Sequence, residues 1–227
     1  VAPRDFSTRL TRRASRAGLF LSDELVERLE MFFGLLFRWN QKINLTSIAD
    51  PDEAIDRLLL EPLLAARHVP ASATRLMDIG SGGGSPAIPL KLALSHLHLT
   101  MVEAKVRKSA FLREASRQLG LIATEVETTR VEELLARPQL HEAFDLVSLR
   151  AVRLEMRMLN TMQAFLRPGG HVLVFRGPHG PAEPVVVPPM QWVDTYPLVE
   201  VMQSRATLLQ KRPIGAHVPR GTVPSEA

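Results

Sequence analysis

The chain predicts an α/β fold with a mainly parallel sheet covered on both faces, and three observations carry that prediction. From Arg75 onward, short apolar runs alternate with helix-period segments, the pattern of strand–helix–strand units whose strands pair in parallel. The first run, Leu76-Met77-Asp78-Ile79, leads straight into a glycine-rich turn, Gly80-Ser81-Gly82-Gly83-Gly84, and then into a segment that can start a helix. Pro86 is tolerated there because first-turn amides have no intrahelical partner. The second run, Leu97 to Val102, ends on an acid, Glu103.

The bulk numbers bound the rest. With 227 residues, 45% of them apolar, the chain has enough material for one α/β domain and an extension. Cysteine is absent, which excludes disulfides and thiolate metal sites. The seven histidines show no metal-ligand spacing, so no metal is expected, and no Ser/His/Asp arrangement suggests itself. No apolar run approaches the ~20 residues of a membrane span, and the start of the chain lacks the apolar core of a secretory signal. The expectation is therefore a cytoplasmic protein without a membrane partner, and a monomer. Net charge is only +4, but the basic residues are 23 Arg and 5 Lys. Arginine's planar fork suits phosphates and bases, which is compatible with a nucleic-acid partner; a GC-rich genome produces the same bias.

Taken in order, residues 1–70 read as an N-terminal helical extension. Arg4, Arg9, Arg12, Arg13 and Arg16 face a single acid, Asp5, over the first twenty residues. They suggest a basic arm for RNA backbone or a solvated, partly frayed helix. Ser22 caps a strong helix with Asp23 and Glu24 in its first turn and an apolar stripe at Leu25, Leu29, Phe32, Phe33, Leu36 and Ile43. That helix gives way near Asn40. Asp50-Pro51-Asp52-Glu53 starts another, with a possible capping box, running to about Arg67 with a kink expected at Pro62. The α/β domain is expected over 71–212. Its strands fall near 75–79, 97–102, 121–127, 144–149 and 171–176, its helices near 86–95, 106–119, 131–136 and 154–166. Arg167-Pro168-Gly169-Gly170 closes the last helix, and two runs near 191–199 and 204–210 suit an antiparallel hairpin. Residues 213–227, rich in Pro and Gly, read as a disordered tail.

The glycine turn carries the chemistry. Glycine is required where the chain takes positive φ or lets a ligand touch the backbone, and free N–H groups at a helix start accept polar ligand groups. The spacing is Asp78-x-Gly80-x-Gly82-x-Gly84, not the G-x-G-x-x-G of dinucleotide enzymes. Glu103, 23 residues beyond Gly80, stands where an acid accepts hydrogen bonds from both ribose hydroxyls. Asp78 suits holding the loop or, through water, a cofactor ammonium group. Together these features resemble the S-adenosylmethionine site of Rossmann-like class I methyltransferases.

Three further places attract notice. Arg130-Val131-Glu132-Glu133 follows the third strand, where Glu132 or a backbone amide reads an adenine edge or where a helix simply begins. Asp145 at the start of the fourth strand reads as structural. Arg150 at its end suits a cofactor contact, an RNA phosphate or plain solvent. Lys105, Arg107, Lys108, Arg113 and Arg117 read as a solvated helix face, with Lys105 and Lys108 as weaker candidates for backbone contacts.

In concert, the segments Arg38-Trp39-Asn40 to Asn44-Leu45-Thr46-Ser47, Asp78 to Leu90, Val102-Glu103 with Lys108, Phe111 and Leu112, Val131-Glu132-Glu133, Phe144-Asp145 with Arg150-Ala151, and Arg205 to Lys211 resemble the bacterial 16S ribosomal RNA guanine-N7 methyltransferases, also called glucose-inhibited division protein B. The resemblance spans roughly residues 20 to 212, and the Trp-Asn…Asn-Leu-Thr segment is its specific signal. It implies a Rossmann-like class I S-adenosylmethionine-dependent methyltransferase fold with a mostly parallel seven-stranded sheet, and 16S ribosomal RNA or the small ribosomal subunit as partner. It places Gly80, Ser85, Val131, Glu132 and Arg150 at cofactor positions, and Asn44, Thr46 and Arg57 along the substrate pocket. The chain departs from the family where Arg-His-x-x-Asp-Ser is usual. Here Arg57 is followed by Leu58-Leu59-Leu60-Glu61-Pro62, and Arg176 replaces a lysine. A methyltransferase of another substrate and a non-catalytic cofactor- or RNA-binding paralogue are the alternatives these departures leave open.

Overall fold

A computed structural model of the chain describes residues 3–150, 155–178, 186 and 188–212. Helix α1 (Pro3–Arg16) buries Phe6, Leu10 and Ala14, one turn apart, against helix α2 (Asp23–Asn40). Its flank of Arg9 and Arg13 is spent on Asp52 and Asp56 at 2.7 to 3.0 Å, while Arg12 and Arg16 stay exposed. Ser22 caps α2 by accepting from Leu25 N–H at 3.3 Å. The predicted stripe is deeply buried at Leu29, Phe32, Phe33 and Leu36 and half-buried at Leu25 and Ile43.

The third helical stretch is segmented. Asp50 Oδ1 accepts from Glu53 N–H at 2.7 Å and starts α3 (Pro51–Ile55); a π-helical turn (Asp56–Leu60), α4 (Glu61–Ala65) and a short 3₁₀ turn (Ala66–His68) follow. Glu53's carboxylate pairs with Arg57 Nε at 3.1 Å. The irregularity answers to Pro62, whose ring clashes with the carbonyl four residues back in a regular helix. The chain widens its turn here.

The sheet has seven strands: β1 (Arg75–Ile79), β2 (His98–Val102), β3 (Thr124–Glu127), β4 (Phe144–Arg150), β5 (Leu166–Arg176), β6 (Met190–Pro197) and β7 (Arg205–Lys211), in the order β3-β2-β1-β4-β5-β7-β6. The first five are parallel, and β7 runs antiparallel between β5 and β6. Along β5 side chains alternate with period two: Leu173 and Phe175 enter the core beneath α2, α5 (Ala87–Ala93) and α6 (Val106–Gln118), Val172 and Val174 the core beneath the 3₁₀ turn Val131–Ala136 and α7 (Met156–Phe165). Residues 1–70 therefore supply much of the cover on one face, within the same apolar cluster as the sheet.

Element boundaries differ from the sequence pattern in three places. β3 is four residues long, the segment 131–136 is 3₁₀ and not α-helical, and β5 opens at Leu166, directly after α7. Arg167-Pro168-Gly169-Gly170 lies inside that strand because its register against β4 shifts between Phe144 and Leu146, an irregularity that tolerates a proline and the φ of +81° at Gly169. Asp145 has the structural place expected of it: Oδ2 accepts from Thr74 N–H, Thr74 Oγ1 and Arg75 N–H at 2.6 to 2.8 Å, tying the starts of β4 and β1 together. Among the described residues no helix is long and apolar enough to cross a membrane, and no three His, Asp or Glu side chains gather as a metal site. Ala151, named in the family resemblance, lies outside the described residues.

Candidate functional site

The C-terminal ends of β2, β1, β4 and β5 stand side by side, and each delivers a polar group to one region. At the end of β1 the chain turns over Gly80, Gly82 and Gly84, with φ of 71°, 50° and 83°. Two of these glycines are there for different reasons. A side chain on Gly84 would bring its Cβ within 2.7 Å of Ile88 Cδ1 and 3.2 Å of Phe32, so this residue lets the loop nest under α2. At Gly82 an added Cβ would make only ordinary contacts, with Gly80 O at 3.7 Å and Lys108 Nζ at 4.0 Å, and the positive φ is what disfavours a side chain.

Glu103 braces this loop. One carboxylate oxygen accepts from Gly82 N–H at 2.9 Å, the other from Lys105 N–H at 2.8 Å, and Ser109 Oγ donates to the Glu103 carbonyl at 2.9 Å. A carboxylate has about four acceptor sites, so the brace leaves capacity on both oxygens.

Asp78, on β1 just before the loop, is 1% exposed. Ser148 Oγ donates to its Oδ1 at 2.5 Å, while Oδ2 is buried with no hydrogen-bond partner among the described residues. Burial pushes this carboxyl up to about 6, against the opposing Ser148 hydroxyl. A second buried charge stands at the end of β4. Arg150 Nη1 donates to Glu61 Oε2 at 2.7 Å, and its guanidinium lies 4.6 Å from the centre of the Phe175 ring, on the residue that pairs with it in register on β5. Burial lowers the Arg150 guanidinium and the Glu61 carboxylate opposes that shift. Glu61 Oε1, Arg150 Nε and Arg150 Nη2 are buried and unpartnered among the described residues.

The segmented helix meets the glycine loop through Ser85. Pro62 has no N–H to give the Leu58 carbonyl four residues back, and Ser85 Oγ donates to that carbonyl at 2.8 Å. The proline of the helix and the serine of the loop thus form one device across 23 residues of chain. A similar economy holds the segment after α2, where Asn40 Oδ1 accepts from Leu45 N–H at 2.8 Å and Thr46 N–H at 3.0 Å.

These parts enclose a cavity of about 560 Å³. Of the residues singled out in the sequence, Thr46, Arg57, Gly80, Gly82, Ser85 and Arg150 line it. Asp78, Gly84 and Glu103 stand outside its lining, at the root of the loop, inside it and bracing it. Asn44 is exposed and away from the wall; Val131 is buried in the opposite core and Glu132 is half-buried, both on the turn after β3. The lining also contains Glu61, Lys108, Phe175 and Arg176. Sequence reading treated Glu61 only as a departure from a motif; an acid in the middle of the apolar run Leu58 to Leu64 was the signal that it faces something polar.

A model of the rRNA small subunit methyltransferase G family matches residues 25–191. Proteins named ribosomal RNA small subunit methyltransferase G are similar over most of both chains. That of Roseiflexus castenholzii is 36% identical over 168 residues, covering 74% of this chain and 72% of that one. That of Xylella fastidiosa strain M23 is 38% identical over 184 residues, covering 77% and 79%. Among solved structures, an S-adenosylmethionine-dependent methyltransferase from Aquifex aeolicus superposes with a TM-score of 0.55 at 11% identity, covering 71% of this chain and 94% of that one. The [4+2]-cyclase SpnF superposes equally well at 18% identity, covering 74% and 84%. Likeness at these identities is one of fold, and the cyclase illustrates that this fold does not fix a reaction.

Proposed function

The chain belongs to the rRNA small subunit methyltransferase G family, and on that premise we propose that it methylates N7 of a guanine in 16S small-subunit ribosomal RNA with S-adenosylmethionine as donor. The observation that carries this reading is a single cavity whose wall joins the glycine loop to Arg57, Thr46 and Arg150.

The residues fit the donor. S-adenosylmethionine is cationic at its sulfonium and its ammonium, and a buried Asp78 oxygen without a partner among the described residues lies at the root of the loop. Glu103 retains acceptor capacity for ribose hydroxyls beside the amide it holds at Gly82. Gly80, Gly82, Gly84 and Ser85 line or shape the loop, and the family resemblance adds Val131 and Glu132 on the adenine side. The donor supplies a methyl group on positively charged sulfur, whose C–S electrons stay with sulfur on transfer. Guanine N7 has a lone pair and no proton, so the protein needs no general base, and the cavity presents none with obvious geometry for one. Its work is positioning, with buried acids that favour binding of the cationic donor and the positive charge the methylated base takes up. Arg57, Thr46 and Asn44 are the substrate-side candidates, with Arg150 between the two halves. We divide the chain at about residue 70 into the helical extension and the cofactor domain, with residues 213–227 as a tail, and take the monomer as the working unit in the cytoplasm, free of metal and membrane.

Calorimetric titration with S-adenosylmethionine tests the placement. Gly80→Arg fills the loop, and Glu103→Ala removes two charge-assisted bonds, so each weakens affinity by about tenfold or more. Unchanged affinity in both variants contradicts the placement.

A further inference from the structure

We infer that Glu61 is the residue that selects guanine, by accepting hydrogen bonds from the base's N1–H and 2-amino group; the inference rests on the methyl-transfer reading above. Glu61 is 2% exposed, yet it belongs to the cavity lining. Its Oε2 is held by Arg150 at 2.7 Å, and its Oε1 has no partner among the described residues. A buried carboxylate oxygen without a donor is costly, and in a cavity wall it is completed by a ligand. Arg150, bonded to Glu61 on one side and laid against Phe175 on the other, holds this carboxylate in place.

The chemistry of the missing donor follows from the acceptor. An ionised carboxylate only accepts. Guanine offers two adjacent donors, N1–H and the 2-amino group, one for the open Oε1 and one for the lone pair that Oε2 keeps beside Arg150. Adenine presents an acceptor at N1, and cytosine an acceptor at N3, so each sets lone pairs against lone pairs. Pairing through this edge leaves N7, on the far side of the base, turned toward the donor.

Position separates this role from cofactor binding. Adjacent strands lie about 5 Å apart, and the loop and its brace occupy the ends of β1 and β2. Glu61 is anchored to the register pair Arg150 and Phe175 at the ends of β4 and β5. The cofactor's nucleoside and the acceptor base thus have opposite ends of the same cleft.

The test uses unmodified 16S RNA transcripts in which guanosine is sparsely replaced by inosine, which lacks the 2-amino group but keeps N7. The wild-type protein is expected to methylate guanine about tenfold or more faster than inosine at the target position. Glu61→Asp keeps that preference, Glu61→Gln reduces it to less than about twofold, and calorimetry shows the S-adenosylmethionine Kd of Glu61→Gln within about threefold of wild type. Equal wild-type rates on guanine and inosine overturn the inference while leaving the methyl-transfer reading intact, and require no variant to fold. A cofactor affinity that falls in step with turnover in Glu61→Gln overturns it by assigning Glu61 to the donor. No labelled RNA from the wild-type protein overturns the reading beneath it, and this inference with it.

Discussion

At Asp78, what stability favours and what binding favours are opposed. The folded carboxyl titrates near 6, above its ordinary 3.8, because burial penalises its charge. The folded state therefore keeps its proton where the unfolded state has lost it. Its contribution to stability is undiminished below about pH 4, declines between about pH 4 and 6, and stays reduced above. Asp78→Asn has no such ionisation. Urea denaturation across pH is expected to show wild type losing about 3 kcal/mol relative to Asp78→Asn between pH 4 and pH 7; parallel curves contradict the buried, shifted carboxyl. The same substitution weakens cofactor affinity, since a neutral amide holds a cation less strongly than a carboxylate. At this scale the sequence was legible where residues are near in the chain: Asp78, the three glycines and Glu103 declared themselves by spacing. Arg150 stood out at the end of its strand, but its pairing with Glu61 did not, because 89 residues separate the two and no local pattern records it.

Elements carry information that single residues do not. Pro62 predicted a kink, and the chain answers with a π-helical turn whose Leu58 carbonyl is bonded by Ser85 from another element. A reading confined to helix propensity cannot see that compensation, since the donor comes from the glycine loop. A double-mutant cycle measures it. Ser85→Ala should cost about 1–2 kcal/mol of unfolding free energy in the wild-type background. The cost should shrink by about 0.5 kcal/mol or more alongside Pro62→Ala, where residue 62 regains an N–H for Leu58. Strict additivity in chemical denaturation contradicts the link. The strands were legible because parallel strands buried on both faces read as short, nearly continuous apolar runs between helix-period segments. The start of β5 was not, because Pro168-Gly169-Gly170 reads as punctuation unless the bulge against β4 is known.

On the scale of the whole molecule, the helical extension and the sheet share one core, and the cavity exists only where they meet. The arginines of α1 illustrate how far composition reaches. Five arginines against one acid left an RNA arm or a solvated helix open, and Arg9 and Arg13 are bound to Asp52 and Asp56, about forty positions ahead in sequence. Asp56 is 7% exposed and sits on the π-helical turn beside Arg57. Arg13→Ala strips its cation and is expected to destabilise the fold by about 1–3 kcal/mol in urea denaturation. Arg12→Ala, on the exposed face, should stay within about 0.5 kcal/mol of wild type.

The proposed reaction delivers a methyl group to guanine N7 in small-subunit RNA. Its most direct test is transfer from methyl-labelled S-adenosylmethionine to unmodified 16S RNA and to small ribosomal subunits. Borohydride reduction and aniline cleavage then locate any N7-methylguanine. Label is expected at one guanine, with chain scission at that position. Label on another atom, or firm cofactor binding with no labelled RNA, would contradict it.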